Sequence, residues 1–232
     1  MKSLESPFEI IRLRPDSVDY YPASVSIPSI LQQQNFVPHP KVSISLGQSR
    51  IGGPVVDLPA GMEYPPDLYF ACQLDLAAIS PLDPTGLLPK NGQLLFFTDL
   101  EKGKVVHTIS ANANLVRTIK EHEECFWNGK LITNFSTETE TMSERFDPSS
   151  IEDEDDTGWG YFAGSEKSKI FGIYTHCQLQ QEEIEEIAFS SKTLLLQIGE
   201  DFTEEGVLSV LIEREDLRNL IFDNCEFSWG QS

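Results

Sequence analysis

Ser49-Arg-Ile-Gly-Gly-Pro-Val-Val-Asp-Leu-Pro-Ala-Gly-Met-Glu-Tyr-Pro65 breaks each short apolar pair with glycine or proline, so it reads as an ordered loop and not a helix. Its opening returns in the second half of the chain as Ser168-Lys-Ile-Phe-Gly172, with Gly172 where Gly53 stood. Two further correspondences follow in the same order. Phe70-Ala-Cys-Gln-Leu-Asp75 is matched by Leu194-Leu-Leu-Gln-Ile-Gly199, which aligns Gln197 on Gln73. Gly92-Gln-Leu-Leu-Phe-Phe-Thr98 is matched by Gly206-Val-Leu-Ser-Val-Leu-Ile212. Three matches in one order argue for a repeated unit more strongly than any one of them. The expected fold is α+β and predominantly β: internally duplicated β-rich units with few short helices, packed about an approximate two-fold axis.

Working outward, alternating apolar runs predict strands at 68–76, 92–100, 104–110, 130–136, 194–198 and 206–212. Leu115–Ile119 reads as a short strand or a helical turn, and Phe8–Leu13 as a short strand or helix. Helices are predicted only at 180–187 and 213–221. Residues 1–48 look like an N-terminal extension packed on the domain, broken by prolines at 15, 22, 28, 38 and 40, with helical turns after Ser29 and a strand from Lys41. Residues 49–232 then form a single domain of two similar halves, 49–146 and 158–232. The acidic, nearly apolar-free run 147–157 joins them as a loop.

Charge narrows the partners. The chain carries 37 acidic and 17 basic residues, a net charge of −20. Residues 121–156 contain 12 acidic side chains against Lys130 and Arg145, and 181–205 contain 8 against Lys192. Such a surface repels nucleic-acid phosphates and anionic lipid, so neither is an expected partner. It is read as a solubilising surface or as a face for a basic protein. No apolar run approaches the roughly 18 residues that span a bilayer. Glu5 and Glu9 interrupt what a signal peptide keeps apolar, which points to the cytoplasm.

At this point the residues resemble a known pattern. Ser49–Pro54 with Leu58–Pro65, the strand Cys72–Leu76, the run Leu87–Phe97, Ser168–Gly172, Leu194–Asp201 and the terminal Arg214–Asn224 are similar, as an ordered set, to the bacterial YwqG-like family, a domain of unknown function numbered 1963. The resemblance covers about residues 45 to 232, and Phe171 departs from it where a second Ile-Gly-Gly is expected. It implies a largely β architecture with internal duplication, and it brings no catalytic residue with it.

The chemistry-bearing candidates are few. Pro54 and Pro59 forbid the helix that would make Gly52-Gly53 a phosphate loop, so these glycines are read as turn formers. Arg50 and Lys169 hold equivalent places, either as an anion site in a cleft between the halves or as two structural ion pairs. Gln73 and Gln197 end apolar strands, where an amide satisfies loop backbone. The candidate binding residues are therefore Arg50, Gly52, Gly53, Gln73, Lys169 and Gln197. The four cysteines never form a Cys-x-x-Cys pair, and none sits in a nucleophile turn, so neither a metal nor a catalytic thiol is expected. The chain reads as a non-catalytic interaction module with no cofactor; the alternative is a small-molecule or anion-binding protein, with or without enzymatic activity, using the inter-half cleft.

Overall fold

A computed structural model describes residues 4–21, 44–119, 127–145, 164–203 and 205–231. The acidic loop expected at 147–157, the turns expected after Ser29, and His39, His122 and Cys125 lie outside the described residues.

The strands are β1 (Phe8–Tyr21), β2 (Arg50–Ile51), β3 (Val55–Pro59), β4 (Tyr69–Asp75), β5 (Gln93–Thr98), β6 (Gly103–Thr108), β7 (Leu115–Ile119), β8 (Gly129–Glu140), β9 (Lys169–Ile170), β10 (Lys192–Ile198), β11 (Val207–Glu213) and β12 (Glu226–Gly230). Among the described residues five short α-helices join them: α1 (Leu76–Ile79), α2 (Met142–Arg145), α3 (Gln181–Phe189), α4 (Glu200–Thr203) and α5 (Arg214–Arg218). The protein is thus predominantly β with few short helices. Among the described residues no helix is long and apolar enough to cross a membrane.

Ten strands build one antiparallel sheet in the order β12-β11-β10-β9-β1-β8-β2-β4-β5-β6, while β3 and β7 pair separately. The order has the same form read from either end. Each side of the β1–β8 centre holds a two-residue strand, β9 or β2, followed by a three-stranded meander. Registers agree as well: Arg50 lies opposite Gln73, and Lys169 opposite Gln197. Each meander skips one residue at the same place, Ala71 between Phe70 and Cys72, and Leu195 between Leu194 and Leu196. A bulge of this kind bends and twists its strand.

The sequence reading sets residues 1–48 apart as an extension packed on the domain. In the structure residues 8–21 supply a strand between β8 and β9, paired with both. Its partners lie more than a hundred residues along the chain, so nothing local marks it as central.

Alternation then sorts the side chains by face. Ile11, Leu74, Phe96, Ile132, Leu196 and Val210 all point to the inner face and form one core. The sheet coils around that core until its edges meet: the Phe227 ring of β12 lies against Gly103 of β6, and His107 packs on Phe222 at 5.5 Å between ring centres. The outer face carries two caps. The β3–β7 pair covers Phe70, Leu95 and Phe97 with Val56 and Leu58. On the other half α3 brings Ile184 and Ala188, four residues apart and so on one face, over Phe8, Leu194 and Leu211. α3 starts where the Gln180 amide N–H donates to Glu183 at 2.8 Å, part of a capping box.

A chain beginning at Ser49 loses β1 and leaves β8 and β9 without their shared neighbour. It is expected to show no cooperative transition in urea, where the full chain unfolds cooperatively. A sharp transition with retained β signal in circular dichroism would contradict this topology.

Candidate functional site

The Ser-basic-Ile segments enter the sheet as β2 and β9, and period-two alternation sends Ile51 and Ile170 into the core while Arg50 and Lys169 turn to the outer face under the caps. The serine before each basic residue is used identically. Ser49 Oγ accepts the Asp75 backbone N–H at 2.8 Å, and Ser168 Oγ accepts that of Gly199 at 2.8 Å. Ser49 O receives the Ile132 N–H of β8 at 3.0 Å, and Ser168 O the Leu13 N–H of β1 at 2.9 Å.

Arg50 is completely buried. Its Nη2 lies 2.9 Å from Asp57 Oδ2 and donates to Gln73 Oε1 at 2.7 Å; Nε donates to Val55 O at 3.0 Å and Nη1 to Gln48 O at 2.7 Å. The guanidinium therefore closes its own loop. Asp57 is saturated in turn: Oδ1 accepts Arg117 Nε and Oδ2 accepts the Gly47 N–H, both at 2.9 Å. Burial alone would raise the Asp57 carboxyl, but the Arg117 hydrogen bond, the Arg50 charge and the Gly47 N–H outweigh it and hold it below the usual carboxylate range. Gln73 passes the network on, donating to Gln93 Oε1 at 3.0 Å.

Lys169 is equally buried and repeats the loop closure by donating to Ile173 O at 2.9 Å. Its counter-ion comes from elsewhere, Glu140 at the end of β8, whose Oε1 lies 2.5 Å from Lys169 Nζ and also accepts the Ile173 N–H at 2.6 Å. Arg145 Nη1 lies 3.5 Å from Glu140 Oε2, and Arg145 Nη2 donates to Thr175 Oγ1. Burial would raise the Glu140 carboxyl; Lys169, Arg145 and the Ile173 N–H overcome it and hold the carboxylate ionised. Gln197 sits beside Lys169 in register yet binds loop carbonyls instead, donating to Lys167 O at 2.7 Å and Gly164 O at 3.1 Å.

Gly52 and Gly53 follow β2 with φ of 63° and 70°. A Cβ on Gly52 would sit 2.6 Å from Asn128 O, and Tyr20 Oη donates to Gly52 O at 2.5 Å, so the turn is clamped by β1. Phe171 and Gly172 take φ of 66° and 88° in the second loop. The backbone step survives the loss of glycine, at a cost of roughly 1–2 kcal/mol for the left-handed Phe171, and the Phe171 ring is buried in the core.

The structure thus joins Arg50 with Gln73 and the loop of Gly52-Gly53, and places Lys169 beside Gln197. It does not join the two cations. β1 and β8 stand between their strands, three spacings or roughly 14 Å. Sequence reasoning missed Asp57, Arg117, Glu140, Arg145 and Tyr20. Asp57 lies inside the quoted loop and was reachable as the nearest carboxylate to Arg50; Glu140 had no local signal. Burial raises the thiol of Cys72 and pushes that of Cys225 up to about 12, which withholds both as thiolate nucleophiles. Among the described residues no group of three or more His, Cys, Asp or Glu is placed to hold a metal.

The fold and these two polar clusters define a coiled antiparallel-sheet protein with buried charges fastening its outer layers. The chain belongs to the family described as a domain of unknown function, DUF1963, whose model matches residues 49–230. No curated protein matches it.

Burial pulls the Lys169 ammonium down to about 7, so Glu140→Gln strips Lys169 and Arg145 of their counter-charge most completely below that value, and it is expected to cost about 3–5 kcal/mol in urea unfolding at about pH 6. Asp57 and Glu140 both hold folded values below the unfolded carboxylate range of roughly 4. Their stabilisation is therefore complete above that range and lost as pH falls through the folded values. The acid limb of stability against pH should be shallower in the Gln variant; identical limbs would show that Glu140 contributes nothing there.

Proposed function

We propose that the protein is a non-catalytic interaction module that binds a basic protein through an acidic outer face. The carrying observation is where the charges lie. Among the described residues Arg12, Arg50, Arg145 and Lys169 are buried, against only Asp57 and Glu140 of the acids. Folding thus withdraws more positive than negative charge from an already acidic surface. α3 then presents Glu182, Glu183 and Glu186 to solvent on one nine-residue helix. Localised charge of one sign accelerates encounter with a partner of the other sign.

The matched sheet order, bulges and serine contacts support a duplicated origin for the two halves, with the second diverged at Phe171 and Lys169. Reduced Cys72, Cys177 and Cys225 support a cytoplasmic setting. The rival anion-binding reading needs a free cation, whereas Arg50 and Lys169 are already matched to Asp57 and Glu140 without solvent access.

The test uses the full chain as bait in a cell lysate, with a variant carrying Glu182→Lys, Glu183→Lys and Glu186→Lys beside it. A basic protein should be retained at low salt, released at high salt and lost by the variant. Retention of nothing, or of the same proteins by both baits, would overturn the proposal.

A further inference from the structure

Among the described residues the buried side-chain polar atoms without a hydrogen-bond partner are His107 Nε2, Arg145 Nε, Gln197 Oε1, Asp201 Oδ2 and Ser209 Oγ, and three of them belong to residues around the Lys169–Glu140 pair. Gln197 Oε1, Ser209 Oγ and Arg145 Nε are all buried and unsatisfied, whereas the corresponding Gln73 Oε1 accepts from both Arg50 Nη2 and the Asp57 N–H. The three atoms belong to one neighbourhood. Ser209 and Lys169 are the register partners of Gln197 on its two sides, so all three side chains share the outer face, with opposed Cβ atoms roughly 4.5–5.5 Å apart. Gly164, whose carbonyl accepts from Gln197 Nε2, touches the Arg145 guanidinium on its other side: a Cβ there would lie 2.5 Å from Arg145 Nη1. Glu140 completes the ring by bonding both Arg145 and Lys169.

The Gln197 amide has its orientation fixed, because Nε2 donates to two carbonyls and a flip would set Oε1 against them. Oε1 is then turned away from those carbonyls and needs a donor of its own, such as Arg50 gives to Gln73 in the first half. Lysine at 169 is shorter, has no guanidinium fork and turns to Glu140 instead. The result is an acceptor at Gln197, a donor at Arg145 and a hydroxyl at Ser209 that can serve as either. Leaving them all unmet would cost on the order of a hydrogen bond's desolvation for each.

We propose that this ring is a buried hydration site: ordered water bridges Gln197 Oε1 to Ser209 Oγ or Arg145 Nε. Two to four polar partners are what an internal water requires. The water donates to Gln197 and accepts from the Ser209 hydroxyl or the Arg145 N–H.

A crystal structure of the full chain at about 1.5 Å resolution, fine enough to place ordered water, tests this directly. The expected result is a density peak at roughly 2.7–3.2 Å from Gln197 Oε1 and from Ser209 Oγ or Arg145 Nε. No peak, or a direct protein donor on Gln197 Oε1, would overturn it.

Discussion

Each half of the sheet is fastened to its outer layer by a cation that cannot reach water. Arg50 and Lys169 leave two-residue strands too short to hold position by ladder hydrogen bonds, and what holds them is the carboxylate and carbonyl set drawn around each charge. Desolvating a guanidinium or ammonium is expensive, and the cost is offset only where every donor finds an acceptor. That condition is strict in geometry. It fixes the loop after each strand, the register of the neighbouring glutamine strand and the seat of the cap, so the polar interior specifies the structure while the apolar core supplies most of its stability.

The two halves supply their acceptors differently. Arg50 takes its counter-ion, Asp57, from its own loop, so that cluster is local and saturated. Lys169 takes Glu140 from the far end of β8 and shares it with Arg145, so its cluster stitches the second half to chain that belongs to the first. Arg12 adds a further tie, donating from β1 to Ser168 O at 2.7 Å and lying 2.9 Å from Asp201. With lysine in place of arginine, Gln197 Oε1 lacks among the described residues the donor that Arg50 gives to Gln73.

Much of this architecture was legible in the sequence, for particular reasons. The strands at Tyr69–Asp75, Gln93–Thr98 and Val207–Glu213 announce themselves through apolar alternation, and Gln181–Phe189 through Ile184 and Ile187 set three apart among glutamates. The place of β1 was not legible, because its pairing with β8 spans most of the chain and Pro15 argues locally against a central strand. The Lys41 run was read as a strand, yet Ile44 and Ser45, its first described residues, lie in no strand. Both candidate cations were visible as a repeated motif, and the structural ion-pair alternative was in view beside the anion site. Their counter-ions differ in this: Asp57 stands near Arg50 along the chain, whereas among 37 carboxylates nothing local singles out Glu140, which only the folded register selects.

A buried ion pair, and not a binding cleft, explains Arg50. A double-mutant cycle on Arg50→Met and Asp57→Leu, followed by urea unfolding, measures that coupling. Each single variant should lose about 3–5 kcal/mol by stranding a buried charge, and the double variant should lose less than the sum by roughly 2 kcal/mol or more. Single losses below about 0.5 kcal/mol that simply add would contradict it.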